Sequence, residues 1–234
     1  MRSTVVGLLV VVLAHPVAAQ NPSKLDDPIG GEFWIDNPRF LQPCAGRIPV
    51  DHIARKANVL VGFENTPDCW LSPRSLRAGE SGDRLTGMTV RQALDHLMAL
   101  MPEYRWKELD GVVVVRPNAA WDDSRNPLNR PTAPFSATNV DLDNVLHMLL
   151  RAARPPVFYP HVDVPQPVRP IDRPVDVPFP GGTMLDALNA VIRARGSAEW
   201  QVGYAPGHAT IAVSTLQFGG GTVMELFALP QGSR

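Results

Sequence analysis

The chain has 234 residues, 44% of them hydrophobic, and a formal net charge of −1. This is an ordinary globular composition with no basic footprint, which argues against nucleic acid as a partner. Cysteine occurs only twice, whereas proline occurs 24 times, mostly in connections.

In chain order, Arg2, the apolar run Val5–Ala14 and the small residues Val17-Ala18-Ala19 read as a signal peptide over residues 1–19, cleaved after Ala19. The run is too short to span a bilayer. The alternative, an uncleaved anchor, fits Pro16 and the small residues less well. No cysteine stands at the cleavage site for a lipid anchor. A periplasmic or secreted protein is expected, with no stable membrane span after cleavage. Residues 20–30, polar and proline-containing, read as a flexible leader.

Glu32–Ile35 reads as a first strand, and Val50, Ile53, Ala54 and Ala57 fall at helical spacing. Val59–Phe63 is a buried strand ended by Asn65, Thr66 and Pro67, followed by a polar loop over 67–82 and a short strand near 84–88. Thr89 then caps a helix, with Gln92 completing a capping box. Val90, Ala93, Leu94, Leu97, Met98 and Met101 form its apolar stripe, and Pro102 stops it. Tyr104–Glu108 and Val112–Val115 flank Asp110-Gly111, a strong hairpin signal. Cys44 and Cys69 bracket the first helix–strand unit. In an oxidising compartment they would form a disulfide worth about 3 kcal/mol. The alternative, two ligands of a metal site, finds only His52 nearby.

Residues 117–133 read as a Pro-rich linker. Beyond it, Phe135–Val140 is a strand and Asp141 caps a helix with the stripe Leu142, Val145, Leu146, Leu149 and Leu150. Val157–Tyr159 is the next strand. A Pro-rich insertion over 155–180 precedes and includes strand Val175–Phe179. Helix Met184–Arg195 follows, ended by Gly196 as an αL cap. Glu199–Tyr204 and Thr210–Ser214 form a closing hairpin, and residues 216–234 a tail with an apolar stretch at Val223–Leu229.

The chain repeats itself. An offset of 94 residues superimposes Gly87, Thr89, Ala93, Leu94 and Trp106 on Gly181, Thr183, Ala187, Leu188 and Trp200. Each copy reads β-α-β-β-α-β. The expected fold is α+β: two tandem small domains, residues 31–116 and 134–215, each with its helices packed on one face of a small sheet.

Through Leu85–Val115 and Val140–Val213 the chain resembles the short N-terminal (STN) domain shared by secretins and TonB-dependent receptors. The resemblance implies a periplasmic interaction module with no catalytic residues and no cofactor, working with an envelope protein partner. The barrel or pore that usually follows such a domain does not fit into residues 215–234, so transport is not implied.

Catalytic patterns are weak. His96 and His147 lie on amphipathic helices and read as boundary residues; His161, Asp163 and His208 fall in loops. Asp26-Asp27 and Asp122-Asp123 read as solvated turns, and Gly219–Gly221 lacks the lysine and hydroxyl of a phosphate loop. No metal set is apparent. Trp106 and Trp200 either pack under their helices or stack on a sugar or peptide; packing is the plainer account.

The expected function is a non-enzymatic, exported protein-interaction module, such as an accessory subunit of an envelope assembly. The alternative is a soluble binder of a glycan or peptide in the interdomain cleft, with a hydrolase last. The expected contact surface is the insertion, through Pro165, Val168, Ile171 and Phe179, together with the tail, through Val223, Leu226 and Phe227. The other reading of the insertion is a disordered surface loop. Sheet edges of so small a domain also invite self-association.

Overall fold

The computed structural model describes residues 24–36, 47–66, 82–154, 174–196, 198–205, 208–215 and 221–226. The first half holds β1 (Trp34–Asp36), α1 (Arg47–Ala57), β2 (Leu60–Glu64), β3 (Gly82–Arg84), α2 (Val90–Leu100), β4 (Tyr104–Leu109) and β5 (Val112–Pro117). The second holds β6 (Pro131–Thr132), β7 (Phe135–Val140), α3 (Leu142–Ala152), β8 (Val175–Phe179), β9 (Gly182–Thr183) and α4 (Met184–Arg195). Three further strands follow: β10 (Ala198–Ala205), β11 (His208–Thr215) and β12 (Gly221–Leu226). The class is mixed α+β, as expected. The signal peptide and the strand expected at Val157–Tyr159 lie outside the described residues.

Local chemistry sets the helix starts identically in the two halves. The Thr89 hydroxyl accepts from Gln92 N–H at 3.2 Å, and Gln92 Oε1 accepts from Thr89 N–H at 2.9 Å. Ninety-four residues on, Thr183 and Asp186 make the same reciprocal pair at 3.2 and 2.8 Å. Each box satisfies two backbone donors that a helix start leaves open. Asp141 caps α3 by accepting from Asn144 N–H at 2.9 Å, and these donors hold its carboxyl below the usual aspartate range. Between β4 and β5, Asp110 (φ 51°) and Gly111 (φ 78°) both take positive φ, the turn whose twist matches a hairpin.

The sheet departs from expectation. One small sheet per copy gives way to a shared six-stranded sheet in the order β12-β11-β10-β2-β5-β4. Strand β2 of the first copy is parallel to β5 on one side and to β10 of the second copy on the other. The residues Val112–Val115 explain why. Val113 and Val115 pack into a core with Val61, Phe63 and the stripes of α1 and α2. Val112 and Val114 point into a second core with α3, α4, Trp200 and Val202. The first copy's helices therefore cover one face of the sheet and the second copy's helices the other. A parallel strand buried on both faces reads as an unbroken apolar run, which is what the four valines are.

Two connections are better ordered than expected. In the supposed leader, Leu25 and Ile29 are buried in the first core, and Ile29 N–H donates to Met88 C=O at 2.8 Å. The supposed linker makes short 3₁₀ turns at Asn118–Trp121 and Pro127–Asn129, buries Leu128 in the second core, and pairs β6 with β9. Neither segment has apolar periodicity, because single apolar residues anchor each one and polar side chains satisfy the rest.

Candidate functional site

The parallel alignment of β2 with β5 and β10 gathers three strand ends. Val115 lies beside Phe63, so the next residues, Arg116 and Glu64, meet; Val202 lies beside Glu64 and brings up Tyr204. Glu64 and Arg116 are each 1% exposed. Two opposite charges so deep are tolerable only when paired and hydrogen-bonded.

Here they are. Arg116 Nε donates to Glu64 Oε2 at 2.5 Å, while its Nη1 donates to Asn129 Oδ1 at 2.9 Å. Its Nη2 donates to Asn126 Oδ1 at 3.0 Å and to Ala120 C=O at 3.1 Å. Glu64 Oε1 accepts from Asn126 Nδ2 at 2.5 Å and from the Tyr204 hydroxyl. Asn129 Nδ2 closes the linker turn onto Ala120 and Asp123 carbonyls at 2.8 Å each. Trp121 lies against the same cluster, its ring 5.1 Å from the Arg116 guanidinium, with Arg105 at 5.5 Å and Lys107 at 4.5 Å.

Burial, reinforced by the Glu64 carboxylate, pushes the Tyr204 hydroxyl far above the usual tyrosine range. Tyr204 is thus a fixed donor, and the two Glu64 oxygens are engaged by Arg116, Asn126 and Tyr204. The chemistry of these groups is consumed inside the network. It ties the first copy, the linker and the second copy together at one point.

Beside it, Asn65 donates from its backbone N–H and Nδ2 to Val202 C=O at 2.9 and 3.0 Å. The Trp200 indole lies flat against Gly62 of β2, where a Cβ would overlap the ring. The expected interdomain cleft is closed at this seam by direct strand pairing and by Trp200.

The two tryptophans pack under their helices. Trp200 Nε1 donates to Asn189 Oδ1 of α4 at 2.8 Å, and Trp106 Nε1 to Asp95 Oδ1 of α2 at 2.9 Å. His96 and His147 sit half-buried in the middle of α2 and α3.

Of the residues expected to bind a partner, Phe179 is misplaced. It is 5% exposed and packs against Phe135, ring centroids 5.2 Å apart. Its strand alternates, with Val175, Val177 and Phe179 inward, so the residue belongs to the core. Val223 and Leu226 lie in β12, at one end of the sheet. Pro165, Val168, Ile171, Phe227, Cys44 and Cys69 lie outside the described residues.

The network residues Glu64, Arg116, Asn126, Asn129 and Tyr204 were not singled out from sequence. The available signal was a glutamate closing the run Val59–Phe63 and an arginine closing Val112–Val115. Charges that continue buried strands imply each other.

Among the described residues no group of three or more His, Cys, Asp or Glu side chains is placed to hold a metal ion, and no helix is long and apolar enough to cross a membrane. Compared with known protein families, curated proteins and solved structures, the chain matches none.

Proposed function

We propose that the protein is an exported, non-enzymatic protein-interaction module of the cell envelope, which engages its partner by main-chain strand addition at the outer edge of β12. The observation that carries this reading is the contrast between the two ends of the shared sheet. Among the described residues β4 and β12 each pair on one side only. Strand β4 carries Arg105, Lys107 and Glu108, charges that discourage a further strand. Strand β12, Gly-Thr-Val-Met-Glu-Leu, has a single charge and offers an unpaired row of N–H and C=O groups for β-augmentation. The resemblance to the STN domain, an interaction module, points the same way. So does the seam, whose ionisable groups are committed to one another.

The test is site-specific cross-linking in intact cells. A photo-reactive amino acid at position 224 should yield a protein adduct, and the same group at position 107 should not. With the photo-reactive residue kept at position 224, proline at position 222 or 223 deletes one backbone donor. Donors alternate between the two sides of a strand, so one of the two variants should lose the adduct with its melting temperature nearly unchanged. Equal adducts from positions 224 and 107 would remove the basis for the reading.

A further inference from the structure

We infer that Arg105, Lys107 and Trp121, on the face of β4 turned toward the second core, bind the carboxylate of a sugar acid, and that the Asp122 side chain fills this site in the absence of ligand. The inference goes beyond the β12 edge and does not depend on it.

The cluster is unfavourable for the fold itself. Arg105 stands directly opposite Arg116 across β4 and β5, and like charges so placed repel. Lys107, two residues on, adds a third cation to the same face. The turn Asn118–Trp121 folds the indole over them, and all three cations lie within 5.5 Å of its ring centre. Among the described residues the other rings with such a neighbour, Trp34 and Trp106, are each met by a single arginine. Glu64 neutralises Arg116 and Asp122 pairs with Arg105. Among the described residues no carboxylate pairs with Lys107, so one positive charge is left over. The unmet hydrogen bonding has the same sense. Arg105 Nε and Trp121 Nε1 are buried donors without an acceptor, and native folds leave few of these unexplained. Surplus donors and surplus positive charge at one spot fit an anion.

The molecule itself shows which anion the spot accepts. Asp122 Oδ2 accepts from Arg105 Nη2 at 3.2 Å, the carboxylate 90% and the guanidinium side chain 41% exposed. An exposed pair of this kind is weak, so an external carboxylate can displace Asp122 and take the Lys107 ammonium as a second partner. The rest of the ligand must be polar. With cations over it, the indole presents no bare apolar face, and the charges on β4 discourage an extended peptide. A sugar acid supplies the carboxylate and surrounds it with hydroxyl oxygens that accept from the remaining donors.

Nitrogen–proton correlation spectra of the exported chain provide the test, with the Trp121 indole signal among the five tryptophans assigned by Trp121→Phe. Glucuronate should move that signal saturably, with a Kd on the order of 1 mM; glucose should not move it. Lys107→Ala should weaken binding roughly fivefold and Asp122→Asn should tighten it by a similar factor, each the scale of one exposed ion pair. Both residues are exposed, so thermal melts of the two variants should match wild type. Absence of a saturable shift in both wild type and Asp122→Asn overturns the inference. Weaker binding by Asp122→Asn overturns it as well, because Asp122 would then support the site rather than fill it. Acetate, inorganic phosphate or a short acidic peptide binding as tightly as glucuronate overturns the sugar acid as ligand. None of these failures touches the reading of β12, which cross-linking at position 224 tests separately.

Discussion

Strands β4 and β10 occupy the same place in the two copies, yet they lead opposite lives. Each presents a tryptophan whose indole nitrogen donates to a side chain on the preceding helix, Trp106 to Asp95 and Trp200 to Asn189. Strand β4 ends the sheet, and Trp106 is half-buried beneath Arg91, whose guanidinium stands 5.7 Å from the ring centroid. Strand β10 runs through the middle, and Trp200 is 1% exposed against Gly62. The 94-residue offset sets Arg105, Lys107 and Glu108 against Glu199, Gln201 and Val202. The shared residues encode the unit. The differing ones encode whether the unit's edge is joined or guarded.

The largest break in this comparison should come from truncating the tryptophans. Trp200→Ala should destabilise by about 3–5 kcal/mol, since a fully buried aromatic leaves a cavity and an unpaired Asn189. Trp106→Ala should cost only about 1 kcal/mol, in keeping with half-burial at an edge. Chemical denaturation of both variants measures the gap, and equal losses would mean that β10 is no more internal than β4.

The charged pairs should separate in the same way. Glu64→Gln, which leaves the Arg116 guanidinium buried without its counter-ion, should cost about 3–5 kcal/mol. The double variant Glu64→Leu with Arg116→Met should recover part of that loss, because no charge is then stranded. Asp122→Asn at the exposed Arg105 pair should produce little measurable change. If both ion pairs responded alike in a double-mutant cycle, the seam would not be the junction of the copies.

Gly62→Ala falls between these effects. The added methyl must displace the Trp200 indole from the central strand, and overpacking of this kind costs about 1–3 kcal/mol. The variant should also lose the native near-ultraviolet dichroism of a rigid tryptophan before it loses helix content. The same change in the Trp200→Ala background should be far milder, since the two residues share one space.

A smaller effect tests what the copies have in common. Thr89→Ala and Thr183→Ala should each cost about 1 kcal/mol. The two losses should match, because a helix cap is local and does not sense whether its unit is at the edge or at the centre. Unequal losses in thermal melts would show that context reaches even the caps.

The titration of the tyrosines sharpens the comparison further. Burial raises the hydroxyl pKa of Tyr104 in β4 and, more strongly, of Tyr204 in β10. A group whose folded pKa lies above its unfolded value contributes stability that is complete below the unfolded pKa, about 10 for tyrosine, and is lost as pH rises above it. Stability should therefore decline on the alkaline side of pH 10. Tyr204→Phe should flatten that decline more than Tyr104→Phe, as measured by denaturant midpoints across the alkaline range.

Much of this could be read along the chain. Thr89 with Gln92, Asp141, and Asp110-Gly111 act within a few residues, so capping and turn chemistry placed α2, α3 and the β4–β5 hairpin before any packing was known. Helix α4 and strands β7 and β8 were legible from apolar spacing alone. The leader and the linker were misjudged because Leu25, Ile29 and Leu128 are isolated apolar residues, and one anchor makes no period. Phe179 was misjudged because prolines around it suggested a surface excursion, whereas its place in the alternation Val175, Val177, Phe179 put it inside. Of the residues expected to contact a partner, Val223 and Leu226 fall in β12, an end strand among the described residues, and nothing in their spacing told which strand they would join.

By itself, then, the sequence determined the elements, their caps and turns, and the fact of the repeat, since each of these is decided by residues close together in the chain. Tertiary structure alone decided that β2 would pair with β10, some 140 residues later. It decided that Val112 and Val114 would serve one core and Val113 and Val115 the other, and that Glu64, Arg116, Asn126 and Tyr204 would meet. A run of apolar residues declares that a strand is buried, but not by what. A lone buried charge declares that it needs a partner, but the partner is chosen by the register of distant strands.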